Sequence, residues 1–373
     1  MTMKKGLLLF VIVWLNFSAI AGAEELDTDY TDIQNVIDSI TQAGESISFS
    51  EIVSKLVSGE MEFSFSSLGQ YVFDKIFSEI NANKNALIQI IGISIIGAVF
   101  TNFSMAFSKN QVAETGFYLT YMILISLLTT SFIAASSIAG EIMEQLIHFM
   151  SALIPTFCLA ITFSTGVSTS AGYYQLMILL IGIVDWIMSK IIMNLINTYV
   201  ILAIVNNISK EDYISKLTDL IKTITKWSLK TILGVTLGLN MIQSMILPAF
   251  DSVKSSLLLK ASSVIPGVGN ALNVAAKTVI GSGVLIKNAI GVGGLIVIII
   301  LCAVPLLKLI VISFMYQVAE AAVQPVSDDR IVKSIHIVSE GVSLLLGALG
   351  TAILLFVLSL AIITSASNLQ IGG

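Results

Sequence analysis

Charge is what this 373-residue chain has least of. Asp, Glu, Lys and Arg together make up 12% of it, about half the share found in an ordinary soluble domain. Histidine occurs only at His148 and His336, and cysteine only at Cys158 and Cys302. Each scarcity excludes something. Two histidines, with no H-E-x-x-H and no His, Cys and carboxylate set at ligand spacing, leave no metal site to predict. Two cysteines inside apolar runs make no disulfide framework, and they read as small buried core residues. No G-x-S-x-G elbow is present. The glycine clusters PGVGN (266–270), GSG (281–283) and GVGG (291–294) neither complete G-x-G-x-x-G nor end in G-K-[ST], so they hold no phosphate loop. The expectation is therefore no catalytic residue, no cofactor, no metal and no nucleic-acid partner.

What the chain does have is apolar sequence, with a mean hydropathy of +0.93, and this predicts an all-α polytopic membrane protein. Residues 1–23 have the layout of a cleavable signal peptide: Lys4 and Lys5, an apolar run from Gly6 to Ile20, then Ala21-Gly22-Ala23 before Glu24. Residues 24–85 hold twelve acids against Lys55, Lys75 and Lys84, a balance that places this segment on the outer side of the membrane. Its apolar residues recur at helical spacing, as in Ile33, Val36, Ile37 and Ile40, or Phe49, Ile52, Val53 and Leu56. They predict two or three short amphipathic helices that pack on the membrane domain, on lipid or on a partner.

Residues 86–207 contain the first membrane segments. The stretches 86–107 and 115–139 are uncharged and each long enough to cross ~30 Å of hydrocarbon. A third stretch, 145–166, is expected to kink or open at Pro155, and 173–207 reads as two short passes or one long tilted helix. Residues 208–288 form a basic, glycine-broken region. It begins with an amphipathic helix on the cytoplasmic interface, carrying Lys210, Lys216, Lys222, Lys226 and Lys230, and continues into 231–250, for which charge bias favours a re-entrant or interfacial element. Residues 289–373 hold two strong spans, 289–313 and 341–364, separated by a connector at 314–340. The total is roughly six to eight membrane segments.

Three charges, Asp185, Lys190 and Lys308, fall inside apolar runs, where a central charge costs about 2.5–3.5 kcal/mol on insertion scales. They are candidates for a pathway or for buried pairing, set against interfacial turns and snorkelling. Pro155, Pro266, Gly267 and Gly269 are candidate helix breaks. Gly234 with Gly238, and Ser343 with Gly347, have the small-xxx-small spacing of close helix contacts.

The stretch GSGVLIKNAIGVGGLIVIIILCAVPLLKLIVISFMYQVAEAAVQPVSDDRIVKSI (281–335), together with SSVIPGVGNAL (262–272), resembles the stage III sporulation protein AE family. The matching residues are Pro266, Gly269, Lys287, Asn288, Gly291, Gly294, Pro305, Lys308, Gln324, Pro325, Asp328 and Arg330. Ser327 and Asp329 depart from the family pattern. The resemblance implies a non-enzymatic, multi-pass subunit of the sporulation stage III A complex in the mother-cell membrane around the forespore. Its implied partners are the other subunits, a forespore membrane partner, membrane lipid and further copies of itself. The complex would act as a channel or secretion-like apparatus sustaining late forespore gene expression, energised by a separate ATPase. A second reading from the residues alone is a self-contained secondary transporter using Asp185, Lys190 and Lys308. Within the connector, Pro325 disfavours helix at Gln324, Ser327 reads as an N-cap with Asp328 and Asp329 in the first turn, and Asp328 and Arg330 are candidate contacts for a partner subunit.

Overall fold

Two short helices open the structure, and their apolar spacing accounts for both. In α1 (Thr31–Ile40) the residues Ile33 and Ile37, one turn apart, are fully buried; in α2 (Phe49–Ser58) Phe49, Val53 and Leu56 are. Ser48 caps α2 by accepting from the Glu51 amide at 3.2 Å, and Gly59, at φ 73°, closes its end with an N–H donated to the Lys55 carbonyl. The Gln34 amide ties the two together: Nε2 donates to the Ile47 carbonyl, and Oε1 accepts from the Phe49 N–H, both at 2.9 Å. The buried faces then rest on the long helices, with Phe49, Ile52 and Val53 against Gly293. The two amphipathic helices therefore pack on the membrane domain itself.

The computed structural model describes residues 29–40, 47–60, 65–106, 111–208, 213–262 and 269–366. The expected leader at 1–23, and Pro266 and Gly267, lie outside the described residues. Among the described residues the regular elements are all helical. After α1 and α2 come α3 (Phe65–Ala106), α4 (Gln111–Ser164), α5 (Val167–Ile183), a π-helical segment (Val184–Ile192), α6 (Met193–Ile208), α7 (Ser215–Ser262), α8 (Gly269–Val323) and α9 (Asp329–Ala366). Six helical rods are long and apolar enough to cross a membrane, which makes this a multi-pass membrane protein.

Several boundaries differ from the sequence expectation, each for a local reason. The stretches 115–139 and 145–166 form a single helix, α4, that runs through Pro155 without ending there; the proline sits on an exposed face, where an unpaired carbonyl one turn back is open to its surroundings. The rod 167–208 is likewise continuous, because a π-helical stretch joins α5 to α6. In that stretch the backbone closes five residues back, as in the Met193 N–H on the Met188 carbonyl. Residues 215–262 form one unbroken helix, so the expected re-entrant element at 231–250 and the separate interfacial helix are the two halves of α7. Gly269 is the first described residue of α8, α8 continues to Val323 and α9 starts at Asp329, so the expected connector 314–340 shrinks to 324–328.

The glycines of 281–294 sit inside α8, where they permit close packing instead of breaking the helix. A Cβ at Gly294 would lie 2.6 Å from the Leu153 side chain, one at Gly283 would lie 2.9 Å from the Phe163 backbone, and one at Gly291 would strike Thr364 and Phe157. Small residues at these places let α8 approach α4 and α9 closely. Gly234 and Gly238 behave differently, since a Cβ at either would meet nothing within 4 Å. Among the described residues, the small-xxx-small contact expected of them is not made.

α9 is the central strut, with buried residues from Ile331 to Ala366. α4 reaches from one end of the bundle to the other: its 54 residues extend about 80 Å at 1.5 Å per residue, well over twice the ~30 Å of a hydrocarbon core.

Candidate functional site

Side-chain contacts fix which residues share a height in the bundle. α4 runs antiparallel to the α5–α6 rod, with Ser170 Oγ donating to the Cys158 carbonyl at 2.6 Å and Ser136 Oγ donating to Asn197 Oδ1 at 2.8 Å. Residues 141–148 of α4 therefore lie opposite 185–190. α8 also runs antiparallel to α4, with Gly294 at Leu153 and Tyr316 in a hollow shared with Ser131. That register brings Lys308 close to the height of Ser137–Glu141.

The outcome is a belt of charge at mid-height. Glu141, Glu144 and His148 are exposed on α4, Asp185 and Lys190 are exposed on the π-helical segment, and Lys308 is half-buried on α8. Glu144 and His148 pair at 3.7 Å. No ion pair joins Asp185 to Lys190 among the described residues, although the wider π turn brings residues five apart nearer than an α-helix would. In the single chain Asp185 and Lys190 point outward. On α4 the exposed polar positions also extend along one flank through Ser126, Thr130, Ser137 and Ser151. Such a face is costly against lipid.

A second polar centre joins α6, α7 and α9. Glu340 Oε1 takes Lys222 Nζ at 2.7 Å and Lys226 Nζ at 3.3 Å, while its Oε2 accepts from the Tyr199 hydroxyl at 2.6 Å. Of the lysines expected on the membrane surface, Lys222 and Lys226 thereby reach Glu340, Lys216 and Lys230 are exposed, and Lys210 lies outside the described residues. α7 stays along α9 for several turns, as Asn240 Nδ2 donates to Ser359 Oγ at 2.5 Å.

At the connector the N-cap is Asp328, not Ser327. Asp328 Oδ1 accepts from the Arg330 amide at 2.9 Å, and the Ser327 hydroxyl instead donates to the Ser94 carbonyl at 3.0 Å, tying the turn to α3. Arg330 turns back to pair with Asp328 at 3.1 Å and lies 4.3 Å over the ring of Phe117. The Asn207 amide donates to the Arg330 carbonyl at 2.7 Å and to Ser334 Oγ at 2.9 Å, and Ser334 meets the Tyr121 hydroxyl. Asp328 and Arg330 therefore have an internal task, which is to lock the start of α9 to α4 and α6.

The residue that sequence reasoning did not single out as a buried charge is Lys287. It is fully buried, and its ammonium donates to the Thr364 carbonyl at 3.1 Å. That carbonyl lies near the end of the described part of α9, so Lys287 ties α8 to the central helix. The signal for it lay in its apolar neighbours, Val284-Leu285-Ile286 before it and Ala289-Ile290 after it, which make an exposed position untenable.

Comparison with known proteins gives one consistent result. The family model described as stage III sporulation protein AE matches residues 47–367. A curated relative, stage III sporulation protein AE of Bacillus subtilis (strain 168), is 27% identical over 320 residues, covering 84% of this chain and 79% of that protein. No solved structure matches.

Proposed function

This chain belongs to the stage III sporulation protein AE family, a membership that assigns it a role in sporulation, and from that premise we propose that it is a membrane subunit of a channel or secretion-like complex linking mother cell and forespore. In this reading the protein sits in the mother-cell membrane around the forespore, bound to the other stage III A subunits and to a forespore membrane partner. It performs no catalysis; its work is structural or conducting, and late forespore gene expression depends on it.

The observation that supports this reading is the mid-height belt. Glu141, Glu144, His148, Asp185 and Lys190 are exposed on helices otherwise built for an apolar surrounding. Ionisable groups at membrane depth face a bundle interior or water rather than lipid. In a lone chain these five face outward, and in this reading a neighbouring subunit covers them.

The test is affinity purification from sporulating cells in mild detergent, followed by identification of what accompanies the chain. The complex reading expects stoichiometric membrane partners, and expects Glu144→Leu with Asp185→Leu to lose them. Recovery of the chain alone, with proteoliposomes of the pure protein accumulating a solute, would overturn it in favour of a self-contained transporter using Asp185, Lys190 and Lys308.

A further inference from the structure

Three helices, α4, α7 and α9, run parallel and share one scale of height. A Cβ at Gly341 of α9 would meet Phe132 of α4, and one at Gly291 would meet both Thr364 and Phe157, so α9 and α4 keep offsets of 209 and 207 residues. A Cβ at Gly347 would approach Leu229 of α7, and Asn240 bonds to Ser359, offsets of 118 and 119. Lys230 is therefore level with Gly347 and Ala348 of α9 and with Glu141 of α4. Between α7 and α9 at that height lies a pocket of about 240 Å³, lined among others by Lys226, Lys230, Glu340, Ser343 and Thr351.

The pocket holds more positive charge than it pairs. The Glu340 carboxylate is shared by Lys222 and Lys226, and Lys230, exposed at the mouth, has no carboxylate partner among the described residues. Three lysines against one carboxylate leave two cations in excess. The α4 belt has the opposite balance. Glu141 and Glu144 are both exposed, and neither has a lysine or arginine partner among the described residues; Glu141 accepts from the Ser137 hydroxyl at 2.9 Å. With Asp185, Lys190 and Lys308 included, the belt still sets three carboxylates against two lysines. At membrane depth, lipid stabilises neither excess.

Both faces are also shaped for close approach. On α9, Ser343 and Gly347 are exposed. Among the described residues a Cβ at Gly347 would have Leu229, at 3.7 Å, as its one near neighbour, so this small-xxx-small pair is not filled from within the chain. On α4, Ala134 and Ser137 are exposed on the turns that lead to Glu141, and a Cβ at Gly140 would meet nothing within 4 Å. Small residues on facing helices let two backbones come together. Here they stand beside the unpaired charges on each face.

Copies of one chain take one orientation in the membrane, so neighbouring copies are related by rotation about the membrane normal, which preserves height. We infer that the α4 face of one copy, from Ala134 to Glu144, docks into the α7–α9 groove of the next. Glu141 and Glu144 then lie against Lys226 and Lys230, and Ser137 packs beside Ser343. The two patches differ, so the contact is head to tail and repeats from copy to copy. A second copy supplies carboxylates at the height of the excess lysines and small side chains for the groove, whereas acyl chains supply neither. The inference rests on the reading of the protein as a subunit of a complex, and it names a second copy as the neighbour that covers the α4 part of the belt.

Disulfide trapping in membranes of sporulating cells tests this contact. The full chain carries Cys158→Ala and Cys302→Ala, which remove its two native thiols. Ser137→Cys and Ser343→Cys are then placed in two differently tagged copies made together, and the membranes are mildly oxidised. The contact predicts a product carrying both tags, and a series of larger products when both cysteines are in one chain. Either cysteine alone should give neither. Glu141→Lys in the Ser137→Cys copy, or Lys230→Glu in the Ser343→Cys copy, should lower the yield roughly tenfold, because like charges then meet away from water. The two reversals together should recover a large part of it. Circular dichroism and the thermal midpoint are followed for each variant. Lys230→Gln, expected to lower the yield roughly threefold, serves if a reversal fails to fold.

Absence of the two-tag product, while the chain still purifies with other membrane subunits, would overturn the inference and leave the complex reading standing. Absence of that product from a chain that purifies alone would overturn both. A two-tag product whose yield ignores both charge reversals would also overturn the inference, as would a dimer formed through Ser137→Cys alone. Cross-linking of Ser343→Cys to a different protein would assign the groove to another subunit, and its reaction with a lipid-soluble maleimide without any protein adduct would assign it to lipid; either result contradicts the docking of a second copy.

Discussion

Replacing Glu340 by Gln is the sharpest perturbation of the central packing, because one carboxylate serves three donors there. Its side chain is 18% exposed, and that of Lys222 is 28%, whereas Lys226 is 50% exposed. The Lys226 contact is therefore screened and contributes little, within the ~0–1 kcal/mol of exposed pairs. The Lys222 contact at 2.7 Å and the Tyr199 hydroxyl at 2.6 Å are shielded hydrogen bonds to a charged group, each contributing about 1.5–3 kcal/mol. Glutamine keeps an acceptor for Tyr199 but leaves Lys222 and Lys226 facing each other without a counter-charge, so Glu340→Gln should cost about 2–3 kcal/mol. By the usual conversion for a chain of this size or smaller, that is a fall in Tm of roughly 5 °C, read by circular dichroism in detergent. Adding Lys222→Gln to Glu340→Gln should restore part of the loss, since the stranded cation goes with its partner, and the coupling should be larger for Lys222 than for Lys226. A Tm unchanged by Glu340→Gln, or a stronger coupling to Lys226, would refute the reasoning.

Three other outcomes follow from the same geometry. Gly294→Leu should destabilise by about 1–3 kcal/mol through overpacking against Leu153 and Leu360, whereas Gly234→Ala, in open space, should be neutral or stabilising by up to about 1 kcal/mol; thermal unfolding in detergent separates the two. Asp328→Ala should cost about 1–2 kcal/mol by removing the cap of α9 and the Arg330 pair, and Asp328→Asn, which keeps the cap, should recover roughly half of that loss, measured the same way. The Lys55 ammonium at 2.6 Å holds the Glu51 carboxyl below its ordinary pKa. A depressed carboxylate stabilises above its unfolded pKa and loses that contribution as pH falls through its folded pKa. The protection of α2 amides, after correction for the pH dependence of intrinsic exchange, should therefore fall slightly on acidification through the acidic carboxylate range, and Lys55→Gln should remove that dependence.

Much of this architecture was legible from spacing alone. The i, i+4 placement of Ile33 and Ile37, and of Phe49 and Val53, marked α1 and α2 correctly because burial of one stripe decides a short helix. Apolar length located the membrane rods. Their continuity could not be read, because Pro155, the π-helical segment and the glycines of α8 each carry a local signal for a break. At the α8 glycines neighbouring helices override that signal by packing close, whereas Pro155 is tolerated on an exposed face. The Asp328 cap was missed by one position, since Ser and Asp are equally good caps in sequence and only the reach of Ser327 to the Ser94 carbonyl distinguishes them. Asp185 and Lys190 were recognisable as costly charges, but their outward direction depends on a π-helical register that no periodicity announces. Lys287 was hidden for the opposite reason: it stands at the edge of a basic region and looks like one more surface lysine until the α9 backbone is seen to accept from it.

What covers the mid-height belt decides between a subunit of a complex and a self-contained chain. A photo-crosslinking amino acid at Glu144, and separately at Asp185, in cells making spores, tests this directly, with Leu159 and Ile178 as exposed apolar controls on the same rods. The prediction is a discrete protein adduct at 144 and 185 and none at 159 and 178. Equal adducts at all four positions, or no protein adduct at 144 and 185, would contradict it.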